Sequence, residues 1–261
     1  MSTHPLDDEK IVSRLFYPRR AERGDSRLPN TQDGTILVSA HVSLGYRLYA
    51  APQSKQIILY FHGNGETAAD YDPIAPLYFE VNASLLVVDY RGYGWSTGLP
   101  RTTTLLTDAE ATIAALPDIL QQAKLNNQPC FIMGRSLGSA PAVHLAYKYS
   151  DQFKGLIVES GFADMPSVFR RLGIPVDLSQ ITDLPVGNAR RMQEITLPLL
   201  VIHGENDQLL PVENGQKIYD AAPGPNKQIV RIPNAGHNDL LFNGRSTYFN
   251  ALRQFLDKHS G

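Results

Sequence analysis

The chain has 261 residues, of which 43% are hydrophobic and 19% charged, a balance that excludes a disordered or fibrous protein. Its 24 basic and 26 acidic side chains leave a net charge of −2, without the basic excess that advertises a polyanion-binding domain. A lone cysteine, Cys130, excludes an internal disulfide framework and a cysteine-based zinc cluster.

Residues 1–10 carry Asp7, Asp8 and Glu9 and lack the apolar stretch of a signal peptide. No run approaches the roughly 18 apolar residues that a membrane span needs. The expectation is a soluble, cytoplasmic, single domain over residues 1–261, with residues 1–35 as an N-terminal extension. Residues 36–50 alternate apolar and polar and turn near Ser43, which predicts an antiparallel hairpin at a sheet edge. Short runs of Ile, Val and Leu follow at residues 57–61, 85–88, 130–133, 156–158, 199–202 and 229–232. Runs this short, bounded by Gly, Pro and polar residues, suit strands buried on both faces, as in a parallel sheet. The gaps predict crossover helices at residues 103–124, with a break or kink at Pro117, and at 137–149, 212–222 and 241–258. Residues 161–196 contain Pro166, Pro175 and Pro185 and no good strand, so they read as a lid or binding insertion. The sequon Asn82-Ala83-Ser84 reads as accidental.

The pattern Gly134-Arg135-Ser136-Leu137-Gly138 matches G-x-S-x-G. A strand enters it directly and an alanine-rich helix leaves it, the context of a nucleophile elbow. The bland alternative is an ordinary strand-to-helix turn. Gly94-Trp95-Ser96-Thr97-Gly98 is a second formal match, but neither a strand nor a helix abuts it, so Ser96 reads as a loop serine. A serine hydroxyl needs a base, and the chain offers seven histidines. His4 and His259 lie near the termini, His41 in the hairpin, and His144 on the expected surface of the helix after Ser136. His62 and His203 end strands and read as packed turn residues. His237 stands in a polar loop between the last strand and the last helix, at the carboxyl edge of the sheet, and is the candidate base. Asp207, in the loop after the strand at 199–202, is the candidate orienting acid, with Glu205 and Glu159 as competitors. The order Ser136, Asp207, His237 is that of the α/β-hydrolases rather than of chymotrypsin or subtilisin. Backbone N–H groups of Leu137 and Asn64 are the candidate oxyanion donors.

A rival reading uses the same loop. Gly63-Asn64-Gly65-Glu66-Thr67-Ala68 fits the dinucleotide fingerprint G-x-G-x-x-G/A, with Asp89 near the expected acid position, and would make the chain an NAD(P)-dependent oxidoreductase. It leaves the contexts of Ser136, Asp207 and His237 unexplained. A third reading is a non-catalytic, ligand-binding protein of the same fold.

Taken together, the blocks FHGNGE, DYRGYGWSTG, GRSLGSAPAVHLA, ESGF, HGENDQLLP and NAGHNDL resemble the α/β-hydrolase superfamily, and within it the small serine hydrolases called α/β-hydrolase-domain or serine-aminopeptidase-like proteins. The similarity runs from about Ser54 to the C-terminus. It implies an α/β fold with a doubly wound, mostly parallel sheet of about eight strands and a short lid after strand six. It also implies Ser136 as nucleophile, His237 as base, Asp207 as acid, Asn64 and Leu137 as oxyanion donors, and Asp89 in a structural block at the active-site floor. Gly65 departs mildly, since relatives often carry Ala there. The expected reaction is acyl transfer to water from a small ester or thioester, without metal or organic cofactor. Peptidase activity is less expected, because an amide needs a better-protonated leaving group. Phe162, Met165 and Phe169, with Leu172, Ile174 and Val176, are candidate acyl-pocket residues or simple lid packing. Arg170-Arg171 and Arg190-Arg191 read as solvated faces.

Overall fold

The computed structural model describes residues 4–174 and 187–261. Its strands are β1 (Thr31–Ser39), β2 (Val42–Tyr49), β3 (Gln56–Phe61), β4 (Ala83–Val88), β5 (Cys130–Arg135), β6 (Leu156–Glu159), β7 (Leu199–Gly204) and β8 (Lys227–Ile232). They form an eight-stranded sheet in the order β1-β2-β4-β3-β5-β6-β7-β8. The β1–β2 and β2–β4 pairs are antiparallel, and every pair from β4 through β8 is parallel. The expected doubly wound, mostly parallel α/β sheet is therefore the fold.

The central strands owe their position to composition. Every residue of β3, β4, β6 and β7 is buried, because helices cover both faces and leave no side for water. Alternation then sorts the side chains. Ile57, Leu59, Ile132, Val158 and Val201 pack with α3 (Thr104–Gln122), α4 (Ser139–Lys148) and α7 (Glu213–Ala221). Ile58, Tyr60, Phe131, Ile157 and Leu200 pack with α2 (Ala75–Phe79) and α8 (Leu240–His259) on the other face. Cys130 is buried at the start of β5, and burial pushes its thiol up to about 12.

Three local expectations are corrected. The edge hairpin turns at residues 40–41 rather than at Ser43, and its first strand begins at Thr31, inside the stretch read as an extension. Helix α3 continues across Pro117, so the proline does not break it. A proline there costs about 3 kcal/mol or more. Burial of Leu105, Leu106, Ile113, Leu116, Ile119 and Leu120 outweighs that cost, at about 1.5–3 kcal/mol for each side chain. His144 is not a surface residue: its Nε2 lies 2.7 Å from Glu110 Oε1 where α4 packs on α3.

The described part of the expected extension, residues 4–35, is tied to the body. Helix α1 (Glu9–Leu15) buries Ile11 and Leu15 in the core. Farther along, the fully buried Arg47 of β2 holds Asp25 at 2.7 Å, Asp33 at 2.7 Å and Asp72 at 3.0 Å. Between β6 and β7, the described part of the expected lid holds two short helices, α5 (Met165–Arg171) and α6 (Asn188–Met192). Pro175, Val176 and Pro185 lie outside the described residues. Asn188 is buried and anchors α6, donating to Phe162 O at 2.9 Å and to Ser139 Oγ at 3.1 Å.

Candidate active site

Strand β5 runs directly into Ser136, whose φ of +51° lies in the left-handed region that costs an L-residue energy. A 3-10 turn over Ser136–Gly138 then leads into α4. The turn closes because its flanking residues lack side chains. A Cβ at Gly138 would strike the Phe61 carbonyl, and one at Gly134 would strike the Gly138 carbonyl. Ser139 Oγ donates to the Ser136 carbonyl at 2.6 Å and braces the turn from the helix side.

Two loops at the carboxyl ends of neighbouring strands meet this serine. His237, after β8, places Nε2 2.9 Å from Ser136 Oγ and Nδ1 2.7 Å from Asp207 Oδ2. Both bonds are satisfied when Nδ1 carries the proton and Nε2 accepts from the hydroxyl. Asp207, after β7, is held from its other side: Oδ1 accepts from Leu209 N at 2.9 Å and Leu210 N at 2.7 Å. His203 Nε2 donates to Leu210 O at 2.7 Å and lies 3.3 Å from Asp207 Oδ2. Burial alone would raise the Asp207 carboxyl. Hydrogen bonds from His203 and His237, the charge of His237 and the Leu210 N–H outweigh it and hold the carboxyl well below the usual range.

The competing acids are engaged elsewhere. Glu159 is buried, with Oε1 3.1 Å from Arg135 Nε and Oε2 accepting from Tyr248 OH at 2.7 Å, whereas Glu205 is exposed. Arg135, the variable residue of the motif, joins an internal ion cluster that the sequence pattern did not single out.

Asn64 and Leu137 stand beside Ser136, and all three border one cavity of about 210 Å³. Among the described residues, neither of the two N–H groups donates to another protein atom. The side chain of Asn64 is held at both its amide oxygen and its amide nitrogen. Its Oδ1 accepts from Tyr17 N at 2.9 Å and Tyr93 OH at 2.6 Å, and its Nδ2 donates to Leu15 O at 2.8 Å. Of the expected acyl-pocket residues, Phe162, Met165 and Leu172 line the cavity; Phe169 and Ile174 are buried in the core outside its wall. Leu15, Tyr17, Val168, Arg171, Leu209 and Leu210 complete the wall and were not expected. No local pattern marks Leu15 or Tyr17, because their contact with Asn64 spans 47 or more residues. Arg171 was read as a solvated face; it reaches the rim, where its Nη2 donates to the Gln208 carbonyl.

The second serine motif is structural. Ser96 is fully buried, accepts from Gly45 N at 2.7 Å and donates to Asp89 O at 3.2 Å, so it ties the loop to β2. Ser96→Ala leaves a buried N–H unpaired and will destabilise the protein by about 1–3 kcal/mol in urea unfolding, without altering probe reactivity at Ser136. Loss of that reactivity in a folded variant would contradict the structural role.

The dinucleotide fingerprint lacks its helix. The loop Gly63–Thr67 enters a four-residue 3-10 turn, Ala68–Tyr71, rather than a helix whose N-terminus could face a pyrophosphate. Asp89 is turned inward: Oδ1 accepts from Ala68 N at 2.8 Å and lies 3.2 Å from His62 Nε2, an ion contact without hydrogen-bond geometry. Burial works against a charge on His62, yet the Asp89 carboxylate and the Gly63 carbonyl push its pKa up. Among the described residues, no group of three or more His, Cys, Asp or Glu could hold a metal ion, and no helix is long and apolar enough to cross a membrane.

The family model described as "Serine aminopeptidase, S33" matches residues 52–179 and 178–243. The protein bem46 of Schizosaccharomyces pombe is 27% identical over 211 residues, covering 79% of this chain and 69% of its own. Human alpha/beta hydrolase domain-containing protein 17B is 27% identical over 212 residues, covering 80% and 68%. The Pyrococcus furiosus esterase Pf2001 superposes with a TM-score of 0.75 over 94% of this chain and 99% of its own, at 18% identity, a likeness of fold. Since the family model accounts for well over half of the chain, the protein belongs to the α/β-hydrolase-domain family that this serine aminopeptidase model describes.

Proposed function

We propose that the protein hydrolyses small carboxylic esters or thioesters through an acyl-enzyme on Ser136, with His237 as general base and Asp207 as its orienting acid. One observation carries the reading: Oγ, the imidazole and the carboxylate form an unbroken relay of 2.9 and 2.7 Å that starts at a strained elbow. Ser136 Oγ attacks the carbonyl carbon as its proton passes to His237 Nε2. The oxyanion forms against the N–H groups of Leu137 and Asn64, and the Asp207 carboxylate stabilises the imidazolium. His237 then protonates the departing alcohol or thiol. Water enters as the second nucleophile and frees the acid by the same steps.

The cavity favours an uncharged acyl group. Its described wall is mostly apolar, with Leu15, Leu137, Phe162, Met165, Val168, Leu172, Leu209 and Leu210 beside Tyr17, Asn64 and Ser136, and Arg171 is its one charged member. Among the described residues no acidic side chain lines the cavity to receive the ammonium group of a free amino terminus, and its apolar wall suits the acyl chain of an ester or thioester. The test is a fluorophosphonate probe with adduct mapping, followed by nitrophenyl esters of increasing chain length. The expected results are one adduct on Ser136 and a kcat/KM that rises with chain length until the cavity is filled, then falls. An adduct elsewhere, or no adduct and no turnover of any ester, would overturn the proposal.

A further inference from the structure

Arg135 fills the variable position of the serine motif, yet its side chain is only 12% exposed. Its Nη1 pairs with Glu66 Oε1, and its Nε lies 3.1 Å from Glu159 Oε1. Its Nη2 donates to the main-chain carbonyl of His237 at 3.0 Å and to Asn238 Oδ1 at 2.8 Å. One guanidinium thus bridges the end of β5, the loop after β3, the end of β6 and the loop after β8. The Glu66 arm continues into the candidate oxyanion loop, because its Oε2 accepts from Gly63 N at 2.8 Å and from Tyr71 OH at 2.8 Å. The fit around the guanidinium is close: a Cβ at Gly63 would collide with Nη1. Burial works against the charge, but Glu66 and Glu159 hold the guanidinium protonated.

We infer that Arg135 is a positioning residue for the reaction proposed above. It fixes the backbone of His237 so that Nε2 stays on Ser136 Oγ, and through Glu66 it fixes the loop that presents Asn64. An ion cluster serving stability alone has no need of the carbonyl of the base itself. The bond to that carbonyl constrains the one residue whose side chain must span Ser136 and Asp207. A lysine keeps the charge but, as a single ammonium, does not reproduce a fork with four partners. Removing the charge alone strands the buried Glu159 carboxylate and the half-buried Glu66, so the informative neutral variant removes theirs as well.

The inference rests on the triad reading, and the experiment separates the two. Fluorophosphonate labelling rates, kcat, KM and melting temperatures are measured for the wild type, for Arg135→Lys, and for Arg135→Met combined with Glu66→Gln and Glu159→Gln. Both variants are expected to melt near the wild type. Both are expected to lose on the order of 10² in labelling rate and kcat, as for a small misplacement of reacting groups, with KM within about threefold. Wild-type rates in either folded variant overturn the inference while leaving the nucleophile in place. Failure of both variants to fold assigns Arg135 to stability and overturns it too. A wild-type protein that does not label at Ser136 overturns the reading beneath it.

Discussion

Ser136→Ala is expected to lower kcat for the preferred ester by about 10⁶-fold, or about 8 kcal/mol of transition-state stabilisation, and to abolish fluorophosphonate labelling. The substitution removes one oxygen atom from a side chain whose Oγ meets His237. It leaves intact the backbone turn, the Ser139 brace and the close glycine contacts that shape the elbow. Stability should therefore stay level or rise slightly, since the variant no longer holds a reactive hydroxyl in place. The residual rate reads what binding and the oxyanion donors achieve unaided. A variant within tenfold of the wild type would remove Ser136 from the nucleophile's role.

Asp207→Asn is expected to cost about 10⁴ in kcat, or about 5 kcal/mol, with little change in KM. The reason is geometric. The Leu209 and Leu210 N–H groups require an acceptor at the Oδ1 position, so the amide nitrogen of an asparagine must take the Oδ2 position. There it faces His237 Nδ1 as a donor, and the imidazole responds by moving its proton to Nε2. That nitrogen then no longer accepts from Ser136. A near-wild-type rate would transfer the acid role to Glu205 or Glu159. The same residue also sets an acid-stability term. A carboxyl depressed in the native state stabilises fully above the unfolded carboxylate value of about 3.9, and the contribution fades as pH falls through the native value. The stability difference between wild type and Asp207→Asn, followed by urea unfolding, should shrink as pH falls below about 4. A difference that grows over that acid range would contradict the depressed carboxyl.

The features legible in the sequence are those whose cause is local. Strand runs at 57–61 and 199–202 announce themselves because both faces of those strands are buried. The elbow is legible because a strand, a serine with a glycine two residues away on either side, and a helix follow one another without a gap. What stayed hidden depends on contacts between distant segments. Pro117 reads as a breaker only until the apolar stripe of α3 is laid on its neighbours. His144 reads as exposed until α3 brings Glu110 beside it. Arg135 carries no mark of its role, because its partners at 66, 159, 237 and 238 converge only in the folded sheet. Phe169 and Phe162 are equally apolar, and only the folded path of residues 161–171 decides which faces the cavity.

The two sources of the cavity wall bear on how such an enzyme could be rebuilt. Ser136, Asp207 and His237 stand at strand ends with the whole sheet beneath them. Leu15 and Tyr17 come from the N-terminal segment, and Phe162, Met165, Val168 and Leu172 from the insertion between β6 and β7. Neither segment contributes a strand to the sheet core, and because Leu15, Phe162 and Met165 are themselves buried, it is apolar replacements of similar volume that leave Ser136, Asp207 and His237 in their seats. Libraries directed at these six positions should shift acyl preference at little cost in turnover. The Asn64 side chain sets the boundary of that freedom, because it grips the main chain at Leu15 and Tyr17 rather than their side chains. The first wall is thus open to new side chains but closed to deletion.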